Sequence, residues 1–363
     1  MNFDLVKKLM GFFGIHPEKT KDSRQIIRRR FFLVILFFFN IFPMSYGTVW
    51  NILSHQNINA YAEHIMVNAY NISGYMKYCM LIWNLEDYSK IFKTMTDLVP
   101  TRSMTKSDKN RKSLYRVIRS YVLFLCTSTA IPFLMLTLTD EVFKDVLKYP
   151  FDFNFTPFKE VVHTMGFLTG MTFGALNFTT HICFYSCCIQ VITLYDYLTE
   201  QVLEVNTKPE NEKEIIRNSV EFHMKTKEII RDISSNFHGF LLSDVLSYII
   251  MLGTILFNLS YSLIFIRLAT YSLSSFYGSW IFCNGGNILI LQSQEMAVKL
   301  YTEIHWPTIN SPSLKRSLII MIMNFQKPVQ MILFKMRIVD LELFIFIVQT
   351  AYTLFNVMIK LNY

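Results

Sequence analysis

Apolar residues in this chain run in long, nearly unbroken stretches rather than recurring once per helical turn. Seven stretches reach the roughly 20 residues a helix needs to cross a hydrocarbon core: about 31–53, 62–85, 119–139, 162–190, 240–263, 268–292 and 341–361. They predict an all-α, polytopic membrane protein with seven transmembrane helices. No repeat and no low-complexity linker divides the chain, so 1–363 reads as a single membrane domain. A polar tail (1–30) precedes six transmembrane helices (31–292), a segment of anchor helices outside the membrane (293–340) and a last helix (341–363). The first stretch follows Arg28, Arg29 and Arg30 directly and has no small-residue cleavage site after it. It reads as a retained anchor, not a leader. An eighth apolar stretch, 317–334, is broken by Asn324, Gln326, Lys327, Pro328 and Gln330 and reads as a helix buried in protein.

Two connections carry their own helical signal. In 212–238, Ile215, Ile216, Val220, Met224, Ile229, Ile230 and Ile233 fall at helical spacing. This predicts a helix that extends the fifth span beyond the membrane. The stretches 294–306 and 312–335 are expected to do the same near the last span, giving a compact helical bundle on one side of the bilayer.

Charge sets the orientation. Alternate connections carry 28 Lys and Arg against five on the other side. The positive side stays in the cytoplasm, so the N-terminus is expected inside and, after seven spans, the C-terminus outside. Composition agrees with a bilayer setting: 52% of residues are hydrophobic and 17% charged, against about 25% charged in soluble chains. The net charge of +8 falls on the face that meets anionic membrane lipids. No soluble basic module points to nucleic acid. The six cysteines lie in or beside apolar runs without metal-ligand spacing.

Candidate chemistry is sparse. There is no phosphate loop, nucleophile elbow or zinc motif, so no enzyme, cofactor or metal site is expected. His163 and His181 share the fourth span but lie five turns apart. Lys77, about two turns inside span two, reads as a side chain that snorkels to the interface. Asn40, Asn71, Asn177 and Asn287 read as interhelical hydrogen-bonding groups, and Gly285–Gly286 as a close helix–helix contact. Of four N-x-S/T matches, only Asn154 falls in an expected extracellular connection, as a glycosylation candidate.

The C-terminal third carries a more specific pattern. Phe282–Leu289 reads F-C-N-G-G-N-I-L, and 293–301 reads S-x-x-M-A-x-x-L-Y. His305–Trp306 follows, then M-x-x-x-x-x-K-P at 321–328, and the chain closes with T-A-Y-T-L-F-N-V-M-I-K at 350–360. This combination resembles insect odorant receptors. The resemblance implies a subunit of a ligand-gated, non-selective cation channel that binds small hydrophobic volatile molecules. It implies a tetramer, here a heterotetramer with a co-receptor subunit, in the plasma membrane of a sensory neuron dendrite. The chain lacks the co-receptor's long insertion between spans four and five and so resembles a tuning subunit. The cytoplasmic bundle would anchor the tetramer.

The last helix would line the pore, with Val357 at the apolar gate, Asn356 as its polar neighbour and Lys360 at the outer mouth. Four copies of Lys360 would repel cations, which favours turning it to headgroups or a mixed tetramer. The ligand pocket would be lined by Met66, Ala69, Tyr70 and Ser73, by Ala130 and Leu134, by Phe167, Met171 and Phe173, and by Tyr271, Ser274, Ser275 and Gly278. A gustatory-receptor-like channel is the nearest alternative. A secondary transporter is the alternative from another class, although such proteins commonly carry paired charges at the midplane and none was evident.

Overall fold

A computed structural model describes residues 22–54, 58–98, 156–207, 209–261, 265–309, 311–333 and 337–362, with isolated positions before 22 and within 112–120. The expected third span (119–139) and Asn154 lie outside the described residues, as do Ala130 and Leu134.

The described chain is helical apart from one two-stranded hairpin. Asp22 caps α1 (Ser23–Leu36) by accepting the Arg24 N–H at 3.1 Å. A π-helical turn, Phe37–Ile41, leads into α2 (Phe42–Leu53). Pro43 explains the wider turn: it has no N–H for the carbonyl four residues back, and the ladder adjusts ahead of it. There follow α3 (Ile58–Trp83) and α4 (Leu85–Leu98). α4 buries Leu85, Tyr88, Ile91, Phe92 and Met95, one face at helical spacing.

α5 (Thr156–Leu203), α6 (Glu212–Tyr261) and α7 (Phe265–Glu303) contain 48, 50 and 39 residues. At 1.5 Å per residue, the first two are roughly 70–75 Å long, over twice a hydrocarbon core. Each therefore crosses a bilayer and continues well past it. The helix expected over 212–238 is continuous with the fifth span. α8 (Pro312–Phe325) ends earlier than the 312–335 expected from sequence. Pro328 disfavours a helical conformation at Lys327 before it, and the chain turns into β1 (Ile332–Leu333) and β2 (Arg337–Ile338). These pair antiparallel, Ile332 with Ile338 and Leu333 with Arg337. Asp340 then accepts the Leu343 N–H at 3.0 Å and starts α9 (Leu341–Asn362). The Arg337 guanidinium lies 4.0 Å from the Phe346 ring centre and ties the hairpin to α9.

α6 is the hub of the packing: α3, α4, α5, α7, α8 and α9 all touch it. One apolar core runs along it from the α3–α5 layer to the polar-side bundle. Gly285 faces Tyr185 and Phe184 of α5, the close helix contact expected. Gly286 instead meets the Val339 backbone, so it admits the hairpin's exit rather than a helix.

Four described helices contain stretches long and apolar enough to cross a membrane, within Ser23–Trp50, Thr172–Asn206, Glu212–Asn258 and Leu341–Leu361. They differ in cover. The apolar window of α5 is 94% buried inside the chain, and that of α9 only 17%.

Candidate functional site

The clearest polar constellation among the described residues sits inside the transmembrane layer, where four helices meet. Lys77 of α3 is fully buried. Its ammonium donates to Asn177 Oδ1 of α5 at 2.7 Å and pairs directly with Asp244 of α6. The second Asp244 oxygen lies 3.0 Å from His181 Nε2 of α5. That nitrogen is in turn 3.1 Å from the Tyr248 hydroxyl. Gly278 of α7 closes the group, since a Cβ there would strike the Tyr248 hydroxyl and crowd His181.

This arrangement corrects two expectations. Lys77 does not snorkel, and the spans do carry a charge pair. The signal was legible: an Asp at 244 inside an apolar run has to find a cation or a proton. Each charge in the group has a partner, which a low-dielectric interior requires. The hydrogen-bonding role expected of Asn177 is met on this lysine. Asn71 likewise bonds between helices, donating from α3 to the Met44 sulfur of α2 at 2.8 Å.

The residues expected to bind ligand fall into separate places. Met66 is buried with Met251 and Ile255, and Val67 and Tyr70 pack against that group. Ala69 and Ser73 line a cavity of about 410 Å³ between α2, α3 and α6, together with Thr48, Met76, Ser243 and Leu246. Ser243 donates to the Ser73 hydroxyl at 3.0 Å. Phe173 and Gly278 line no part of that cavity. Phe173 is buried against Gly74 and meets the Tyr75 ring edge-on at 6.5 Å. Phe167 and Met171 fall on α5, and Tyr271, Ser274 and Ser275 on α7. Their side chains are outside what is described.

On α9, Val357 is 47% exposed, Asn356 is half-buried and Lys360 is exposed. α6 and α9 touch closely at Gly253, where an added Cβ would lie 2.9 Å from Leu354 Cδ2 and 3.1 Å from the Ala351 carbonyl oxygen. Thus one helix, α6, carries the buried charge group at Asp244 and the contact with α9 two to three turns further on.

This architecture has counterparts among solved structures. The insect olfactory receptor OR5 from Machilis hrabei in complex with eugenol superposes with a TM-score of 0.84 at 14% sequence identity, covering 99% of this chain and 97% of that one. A second structure of the same receptor gives a TM-score of 0.79 over the same coverage, also at 14% identity. At such identity the likeness is one of fold. No curated protein matches the chain in sequence. A profile of the family described as 7tm odorant receptor, a family of receptors rather than enzymes, matches residues 57–352. That match takes in the buried charge group, α6 and the first half of α9, and on it the chain belongs to the 7tm odorant receptor family.

Proposed function

We propose that this odorant receptor is a tuning subunit of a ligand-gated, non-selective cation channel, opened by small hydrophobic volatile molecules. It sits in the plasma membrane with its N-terminus in the cytoplasm and its C-terminus outside. The observation that carries the reading is α9: an apolar helix of 22 residues whose own chain covers so little of it. Ile345, Tyr352, Val357 and Leu361 are all exposed. A helix so bare has room for copies of itself around a central axis, with Val357 as the constriction and Asn356 beside it. Four apolar side chains in a ring exclude water and block ions until they turn aside. Lys360 at the outer mouth favours a mixed tetramer in which a co-receptor supplies the other last helices.

The ligand sits between α3, α5 and α7, above the buried charge group, with Phe173 in its wall and Gly278 at its floor. A eugenol-bound relative of the same fold supports a small, largely apolar ligand. So do the residue types that the sequence supplies on these helices, Phe167, Met171, Phe173 and Tyr271.

Whole-cell current is the test. Cells expressing the chain with a co-receptor should pass cation current when an odorant panel is applied, without added nucleotide. Val357→Thr should raise basal current, because a hydroxyl in the constriction holds water, gaining roughly 0.5–1.5 kcal/mol in the wet state. A wild-type complex at the cell surface that never conducts would overturn the channel reading. An unchanged basal current and ion selectivity in Val357→Thr would move the gate elsewhere.

A further inference from the structure

Below the apolar half of α6, a groove of about 690 Å³ opens between that helix and the chain leaving α8. Lys227, Arg231, Ser234 and His238 line it from α6, at spacings that keep them on one helical face. Lys327 and Gln330 line it from the other side. That second wall is held in place, since the Val329 N–H donates to Ser293 Oγ of α7 at 3.1 Å and the Val339 N–H to the Met331 carbonyl at 2.9 Å.

Three cations therefore share one space. Among the described residues, Lys227, Arg231 and Lys327 pair with no carboxylate. Glu228 and Asp232 belong to the same helix, yet neither lines the groove. Gathering like charges without a counter-charge is unfavourable, so the groove is built for an anion.

Its height narrows the choice. The apolar run of α6 opens at Phe240, which puts His238 near the boundary of the hydrocarbon. Lys227 lies 11 residues further out, roughly 16 Å along the helix. An ordinary headgroup layer is only about 5–8 Å deep on each side. The anion must therefore project beyond its neighbours and carry several charges. A phosphomonoester carries about −1.5 to −2 at pH 7, so a sugar-like ring bearing two of them fits three cations. A serine headgroup supplies neither the reach nor the charge.

We infer that this groove binds the phosphorylated headgroup of an inositol phospholipid. The lipid bridges α6 to the segment that leads through the hairpin into α9. This goes beyond odorant recognition and rests on the proposed orientation, with the polar half of α6 outside the bilayer on its cytoplasmic side.

The test uses the full-length receptor in nanodiscs of phosphatidylcholine and a fluorescent phosphatidylinositol bisphosphate, with phosphatidylserine and soluble inositol trisphosphate as competitors. Each Lys or Arg near a membrane surface strengthens anionic-lipid binding roughly fivefold. Arg231→Gln should weaken binding about fivefold, and the triple variant Lys227→Gln, Arg231→Gln, Lys327→Gln about a hundredfold. Lys213→Gln, Lys225→Gln, Arg316→Gln makes the same change of charge outside the groove and should weaken binding much less than the groove triple does. Equal weakening in both triple variants would mean unspecific attraction and overturn the site. Full competition by inositol trisphosphate at the lipid's own concentration would assign the groove to a soluble anion and overturn the lipid. Because neither readout involves odorant or current, failure here leaves the channel reading standing, and the reverse.

Discussion

At the scale of single residues, the buried lysine is the position with the largest expected effect. Replacing Lys77 by Met leaves the Asp244 carboxylate with His181 and no full positive charge. Replacing Asp244 by Leu strands an ammonium in the transmembrane layer with Asn177 alone. Breaking one side of a buried pair costs about 3–5 kcal/mol, whereas replacing both sides by apolar residues is often near neutral. The expected order of thermal stability in detergent is therefore wild type, then the double variant Lys77→Met/Asp244→Leu, then Lys77→Met, with Asp244→Leu lowest. A double variant less stable than both single ones would mean that the four groups act as one network rather than a removable pair. Such a pair fixes which helical face meets which, since a slip of one residue in α3 or α6 would leave a bare charge.

At the scale of elements, α6 joins this charge group to the last helix through the contact at Gly253. Gly253→Val would press on Leu354, a flexible side chain, and on the Ala351 carbonyl, which cannot step aside. Overpacking of this kind costs about 1–3 kcal/mol, and here it falls on the joint between α6 and α9. Reduced odorant-evoked current at equal surface expression is expected. Leu354→Ala in the same chain should restore part of it, because it frees the side-chain contact but not the carbonyl. Current unchanged in Gly253→Val would separate α9 from α6. The elements themselves were largely legible. Long apolar runs gave every described helix that enters the membrane layer, and the isoleucine spacing of 212–238 gave the outward continuation of α6. The end of α8 is not legible in sequence because the apolar composition continues through Met331, Ile332 and Leu333, which a hairpin uses as well as a helix does. The charge group was missed for another reason. Lys77 and Asp244 are 167 positions apart, and no local pattern pairs residues on different helices.

At the scale of the molecule, orientation rests on the 28-to-five distribution of Lys and Arg. An epitope at the C-terminus should stain on intact cells, and one at the N-terminus only after permeabilisation. The opposite staining would invert the bilayer sides assigned to α9 and to the basic groove together. The pocket was less legible than the fold. Apolar packing and an apolar binding wall use the same residue types, so sequence alone does not separate the side of Phe173 that packs on Gly74 from a side that would face a ligand.

If α9 lines a shared pore as proposed, its poor cover bears on how one subunit selects another. Two apolar helices in lipid gain little by meeting, because lipid tails are as hydrophobic as they are. The bare face of α9 is thus a weak judge of partners, able to accept a similar helix from any related chain. Discrimination falls instead to the lengths of α5, α6 and α7 that run on into water, where burying apolar surface has its full value. On the proposed channel reading, such a receptor is free to alter its ligand walls and even its pore while keeping a common partner, so long as those watery ends stay the same.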